Sequence, residues 1–303
     1  MDLPGLIGDE ADGYERIARK GLSAYGLSDA RLRLVSRKKR VVFSVIDDGP
    51  GGREVYALRI SGRDESKNQL MREFLLLGEI RRGSTVEIPE PVLARTGELF
   101  RSVSTPGVSG FRLLSLLRWV RGRRIPIKDW TKEGARAVGR TIGEIHRSCE
   151  GFDWPADLRP AGEGEDRIPS LDGLLSPSYR EGFERARELA RRSLRALADD
   201  PTAKGIIHAD LRAEHILFSR SGVGVIGFSS CRIGFYLYDL ASIALELDEG
   251  LRAQLISGYR ENRPVRVENF DGFLALRALD ILQKGGEEGS RAITLLRRFS
   301  NRD

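Results

Sequence analysis

Short apolar runs bounded by turn residues dominate the first part of the chain. Val41 to Ile46 fills both faces of a short strand, Asp47-Asp48-Gly49-Pro50-Gly51-Gly52 supplies turn chemistry, and Val55 to Ile60 gives a second strand. Together these predict a hairpin. Leu70, Phe74 and Leu77 then recur at the i, i+4, i+7 spacing of one buried helical face, in a helix ending near Gly83. Ile88-Pro89-Glu90-Pro91 breaks the chain ahead of another hairpin, and Leu113 to Val120, stopping at Gly122, is a largely apolar segment that reads as a connector. Beyond it the pattern turns helical. Ala135, Val138, Ile142 and Ile145 line one face, with Thr131 as the N-cap. A Pro- and Gly-rich loop is expected from Asp153 to Leu175, and Ser178 with Glu181 reads as a capping box opening an arginine-rich helix that runs to about Ala198.

The composition adds scale to this order. A chain of 303 residues, 40% hydrophobic and 31% charged, is long enough for two core-forming units. No run approaches the ~20 apolar residues of a membrane span, and Met1-Asp2-Leu3-Pro4 lacks the basic and apolar regions of a signal peptide, so a cytoplasmic protein without membrane contact is expected. Cys149 and Cys231 show no metal-ligand spacing and are expected to be reduced and buried. The net charge of +6 is concentrated in two basic runs, Arg31 to Arg40 and Arg112 to Arg124. Nucleotide phosphates, an acidic substrate or RNA would satisfy that excess, and so would a solvated basic face.

The most informative stretch begins at Gly205-Ile206-Ile207-His208-Ala209-Asp210-Leu211 and continues through Arg212-Ala213-Glu214-His215-Ile216-Leu217-Phe218. It then runs over Val223 to Phe228 and Tyr236-Leu237-Tyr238-Asp239-Leu240. Two short apolar strands flank polar loops, an arrangement able to hold a carboxylate at the mouth of a site. This stretch resembles the catalytic region of the aminoglycoside phosphotransferase and homoserine kinase type II family, which has the protein-kinase-like fold. The family pattern H-x-D-x-x-x-x-N, I-D-F, Y-D-L-A is met here by His208-Ala209-Asp210, His215, Ile226-Gly227-Phe228 and Tyr238-Asp239-Leu240-Ala241.

The resemblance implies an α+β, two-lobed fold. A small β-rich lobe would cover residues 1–117, a hinge 118–123, and a larger, mainly helical lobe 124–303. It further implies that Ala57 packs near adenine, that Arg59 on the same strand face reaches the phosphates, and that Glu73 pairs with Arg59. Arg118, Trp119 and Val120 would form the hinge that meets the adenine edge. Trp119 could equally be core. Arg37-Lys38-Lys39-Arg40 sits where a phosphate-covering loop would lie. Asp210 would accept a hydrogen bond from the acceptor hydroxyl, with His208 and Asp239 bracing its loop. His146, near a helix C-terminus, is read as interacting with terminal carbonyls.

The family's metal positions have changed. Asn would offer an amide oxygen where His215 stands and Asp a carboxylate where Gly227 stands, and Ser229 and Ser230 replace further acidic residues. Mg²⁺ prefers oxygen ligands, so it loses its usual ligands here. Two readings follow. One is a degenerate, pseudokinase-like protein that binds nucleotide or another anion in the inter-lobe cleft. The other is an active ATP-dependent phosphotransferase acting on a small hydroxylated or amino substrate, with Asp210 as base. A third, nucleic-acid binding through the basic runs, ranks last. Asp153, Tyr179, Tyr236 and Tyr259 are candidates to line an acceptor pocket.

Overall fold

The computed structural model describes residues 8–159, 168–169 and 177–284. The chain divides into two compact units, Met1–Gly78 with Ile88–Val120, and Glu79–Glu87 with Arg121–Asp303.

The first unit is built on one antiparallel sheet. Its strands are β1 (Arg31–Arg37), β2 (Val41–Asp47), β3 (Glu54–Ile60), β4 (Glu90–Val92), β5 (Arg101–Thr105) and β6 (Val108–Arg118), in the order β1-β2-β3-β6-β4, with β5 also pairing β6. The expected hairpin is β2–β3, in register from Val41↔Ile60 to Asp47↔Glu54. Along β3, Tyr56, Leu58 and Ile60 are buried, and they form one core with Val41, Phe43 and Val45 of β2 and with Ile17, Ala18 and Leu22 of the helix α1 (Gly8–Leu22). Successive strand residues face opposite sides, so Ala57 and Arg59 lie on the other face. The helix α2 (Lys67–Gly83) buries Leu70, Phe74 and Leu77 as its spacing predicts.

Two expectations are corrected in this unit. Leu113 to Val120 is not a free-standing connector, because residues up to Arg118 belong to β6 and pair β3 from Ile60↔Leu114 to Tyr56↔Arg118. Trp119 is no core residue either: it is 37% exposed.

The second unit is mainly helical. It contains α3 (Lys132–Ser148), α4 (Pro177–Leu197), α5 (Tyr236–Ala244), α6 (Glu249–Arg260) and α7 (Phe270–Lys284). Thr131 caps α3 by accepting from the backbone N–H of Gly134, and Ala135, Val138, Ile142 and Ile145 are buried. The helix α4 starts at Pro177, one residue ahead of Ser178, whose side chain lies outside the described residues, as does most of the loop expected from Asp153 to Leu175. Two small antiparallel pairs complete the unit. β7 (Lys204–Ile207) pairs β10 (Arg232–Phe235), and β8 (Ile216–Ser219) pairs β9 (Gly222–Val225). Cys149 is buried as expected, whereas Cys231 is only half-buried because it sits at the turn leading into β10. Among the described residues, no helix is long and apolar enough to cross a membrane.

Candidate functional site

In the first unit, β3 and α2 bring Arg59 and Glu73 together. Arg59 Nη1 donates to Glu73 Oε1 at 2.6 Å, with the Arg59 guanidinium 5.6 Å from the Phe74 ring. Arg40 joins them, its Nη2 lying 2.8 Å from Glu73 Oε2 while it also bonds Glu65. Burial works to raise the Glu73 pKa, but Arg59 and Arg40 outweigh it and hold the carboxyl at about 2. The Glu73 side chain is 1% exposed, so it is a buried anion shared by two cations. Arg59 keeps two buried donors, Nε and Nη2, without a partner. Arg40 is therefore not an open member of the basic run Arg37 to Arg40. Arg118 is exposed and pairs with Glu54 and Glu90, the Trp119 N–H donates to Val55 O at 3.1 Å, and Val120 is buried.

In the second unit, the loop between β7 and β8 carries Asp210. Its shape is set from below by Asp239 of α5, whose two oxygens accept the backbone N–H groups of His208 (2.7 Å) and Ala209 (2.9 Å). Ala209 has φ 61°, a left-handed conformation that alanine adopts at a cost, and the Asp239 bond helps hold it there. The His208 ring accepts from the Asp210 N–H through Nδ1 (3.3 Å), which leaves Nε2 as donor to Ile226 O (3.0 Å). Asp239 thus braces the backbone, while the His208 ring ties two loops together.

His146 completes this support and corrects the reading of it as a helix-end cation. It is fully buried, with Nε2 donating to Asp239 Oδ2 (3.1 Å) and Nδ1 accepting from the Tyr259 hydroxyl (3.0 Å). Burial pushes its pKa down and keeps the ring neutral. Burial opposes the charge on Asp239, but hydrogen bonds from His146 and the His208 backbone outweigh it. The sequence carried a signal for this role: His146 falls on the same stripe as Val138 and Ile142, where a solvated histidine does not belong.

His215 and Gly227 are in contact. His215 Nδ1 donates to the Asp210 carbonyl at 2.7 Å, and the His215 carbonyl accepts from the Ile226 N–H at 3.0 Å. A Cβ placed on Gly227 would lie 2.8 Å from His215 Cδ2 and 2.9 Å from Nε2, so the imidazole fills the space into which a side chain at 227 would grow. Gly227 has φ 92°, which also favours glycine. Burial drives the His215 pKa down to about 4, and the ring, 4.0 Å from Asp210 Oδ2, is therefore neutral rather than half of an ion pair.

Asp210 is 22% exposed and faces two cations: Arg212 at 3.4 Å and Arg277 of α7 at 3.8 Å. Sequence reading missed Arg277, although a lone arginine in Ala275-Leu276-Arg277-Ala278-Leu279 is conspicuous.

Residues 36–268 match the family model described as the phosphotransferase enzyme family. The chain belongs to this family. No curated protein matches it. Among solved structures, a microcompartment-associated aminopropanol kinase is 22% identical, with 94% of this chain and 95% of that one covered at a TM-score of 0.76. The amicoumacin kinase hAmiN, in complex with AMP-PNP, Ca²⁺ and Ami, is 16% identical over 89% and 88% of the two chains, with a TM-score of 0.70. The GDP and kanamycin complex of APH(2″)-IIIa is 15% identical over 94% and 97%, also with a TM-score of 0.70. At these identities the likeness is one of fold. A β-sheet unit followed by a helical unit is the architecture that this phosphotransferase family implies.

The four residues expected at the acceptor are scattered in character. Asp153 is exposed and paired with Arg159, Tyr179 is half-buried, Tyr236 is buried, and Tyr259 is core, bonded to His146.

Proposed function

We propose that this phosphotransferase-family chain is pseudokinase-like: it binds a nucleotide without the family's Mg²⁺ arrangement, and works by binding or regulation. The observation that carries this reading is the His215 ring lying where a side chain on Gly227 would extend. The two family metal positions have thereby changed as one unit. Mg²⁺ takes hard oxygen ligands, which an imidazole and a glycine do not supply, so the residues present do not fit that ion. A metal contributes several kcal/mol to phosphoryl-transfer transition states, and each ~1.4 kcal/mol lost is about tenfold in rate.

Nucleotide binding is supported by Arg59, whose Nε and Nη2 are buried without partners and would be satisfied by phosphate oxygens. AMP-PNP and GDP in the solved relatives make a nucleotide the expected ligand here. Ala57 would pack near adenine and residues 118–123, with Arg118, Trp119 and Val120, would serve as the hinge between lobes 1–117 and 124–303. A cytoplasmic location belongs to the same reading.

Measuring ATP affinity with Mg²⁺ and with EDTA tests this, and binding indifferent to Mg²⁺ with no turnover is the expected result. Strongly Mg²⁺-dependent turnover would overturn it.

One observation favours the second reading, an active ATP-dependent phosphotransferase. Asp210 is retained on a loop whose supports, Asp239, His146 and His208, are all in place. That reading requires transfer to some hydroxylated or amino acceptor, abolished by Asp210→Ala.

A further inference from the structure

The cations around Asp210 point to the chemistry of a second ligand. The Arg277 side chain is 2% exposed, yet it makes one hydrogen bond among the described residues, from Nη1 to the Tyr238 hydroxyl at 3.2 Å. Its Nε has no partner, and Nη2 stands 3.8 Å from Asp210 Oδ1, outside hydrogen-bonding distance. A guanidinium has five N–H donors, and burying one with so few of them used is costly. Arg212 stands on the same carboxylate, with Nε 3.4 Å from Oδ1 and Nη2 3.4 Å from Oδ2. The other nearby acids have partners of their own: Glu214 lies 2.6 Å from Arg212 Nη2, and Asp280 accepts from the Tyr238 hydroxyl at 2.6 Å.

We propose that the site beside Asp210 binds a small ligand carrying an anionic group, a carboxylate or a phosphate, held by Arg277 and Arg212. A hydroxyl on that ligand would fall to Asp210. This rests on the Asp210 loop being a ligand site, and its evidence, at Arg277 and Arg212, is separate from the Arg59 evidence for a nucleotide. An ammonium-bearing alcohol would instead compete with Arg212 and Arg277 for carboxylates they already face, Asp210 and Glu214, so the site favours an anionic group over an amino alcohol.

The test is calorimetric titration and thermal shift of the full chain with glycerate, its neutral amide glyceramide, the cation 2-amino-1,3-propanediol, and inorganic phosphate, each with and without saturating ATP. Glycerate or phosphate is expected to bind about tenfold or more tightly than glyceramide, and the cation not to bind. A preference for glycerate over phosphate assigns a carboxylate, and the reverse a phosphate; either supports the site. Arg277→Met should keep or raise the unliganded Tm, since a buried, under-bonded charge becomes apolar, and should lose about tenfold in anion affinity. Should that variant not fold, Arg212→Met, at the half-buried arginine of the pair, carries the same loss. Asp210→Asn should tighten anion binding several-fold by removing a like charge.

Glyceramide bound as tightly as the better of the two anions, preference for the cation, no binding of either anion, or wild-type anion affinity in both arginine variants overturns the proposal. Anion binding without any ATP binding supports it while contradicting the nucleotide reading, and ATP binding without anion binding does the reverse.

Discussion

His215 lies beneath Asp210, and its depressed pKa has a measurable consequence. In the unfolded chain it titrates near its ordinary value of 6.5, in the folded chain near 4, so the unfolded state takes up the proton first as pH falls. Stability is therefore lost between about pH 6.5 and pH 4, by on the order of 3 kcal/mol for this group. His215→Asn should flatten that part of the pH–stability curve in denaturant titrations; an unchanged slope would mean that the ring is not held neutral. The second buried centre answers to a different perturbation. Glu73→Ala strands the buried Arg59, while Arg40 keeps Glu65, and should cost about 3–5 kcal/mol, read as a fall in the urea midpoint. The Arg59–Glu73 pair was legible in the sequence by resemblance. Arg40 as a third member was not, because it lies at the end of a basic run whose other residues gave it the look of a surface loop.

Elements were legible where their apolar spacing was regular. β2, β3, α2 and α3 stand close to their expected bounds because Val, Ile, Leu and Phe mark their buried faces. The helix α1 had no such stripe: its buried face includes the small residue Ala18 beside Ile17 and Leu22, and Gly8, Gly13 and Gly21 argue locally against a helix. β1 was hidden for the opposite reason, being mostly exposed and written as Arg31-Leu32-Arg33-Leu34 within a charged run. Packing between α3 and α6 was also invisible. A Cβ on Gly139 would meet Leu255 O and one on Gly258 would meet Arg136 O, so the two backbones approach through glycines. Gly258→Ala should therefore lower Tm, by about 1–3 kcal/mol of overpacking, instead of gaining the roughly 1 kcal/mol that alanine brings to an open helix. A raised Tm would show that α3 and α6 are not in close contact.

For the whole molecule, family membership and the two-unit architecture follow from motifs spread between Tyr56 and Ala241, and these were legible because each motif sits on a well-marked strand or loop. The contact between His215 and Gly227 was not legible. The sequence shows two substitutions twelve positions apart, and only the fold shows that one ring fills the space beside the other residue. That contact makes the central claim testable by gain of function as well as by loss. The decisive measurement is the Mg²⁺ dependence of ATP affinity in the wild type beside the double variant His215→Asn/Gly227→Asp. The account predicts wild-type affinity within about twofold between Mg²⁺ and EDTA, and a double variant that binds ATP about tenfold or more tightly with Mg²⁺. A wild type whose ATP binding is strongly Mg²⁺-dependent, with ATP turnover, would contradict it.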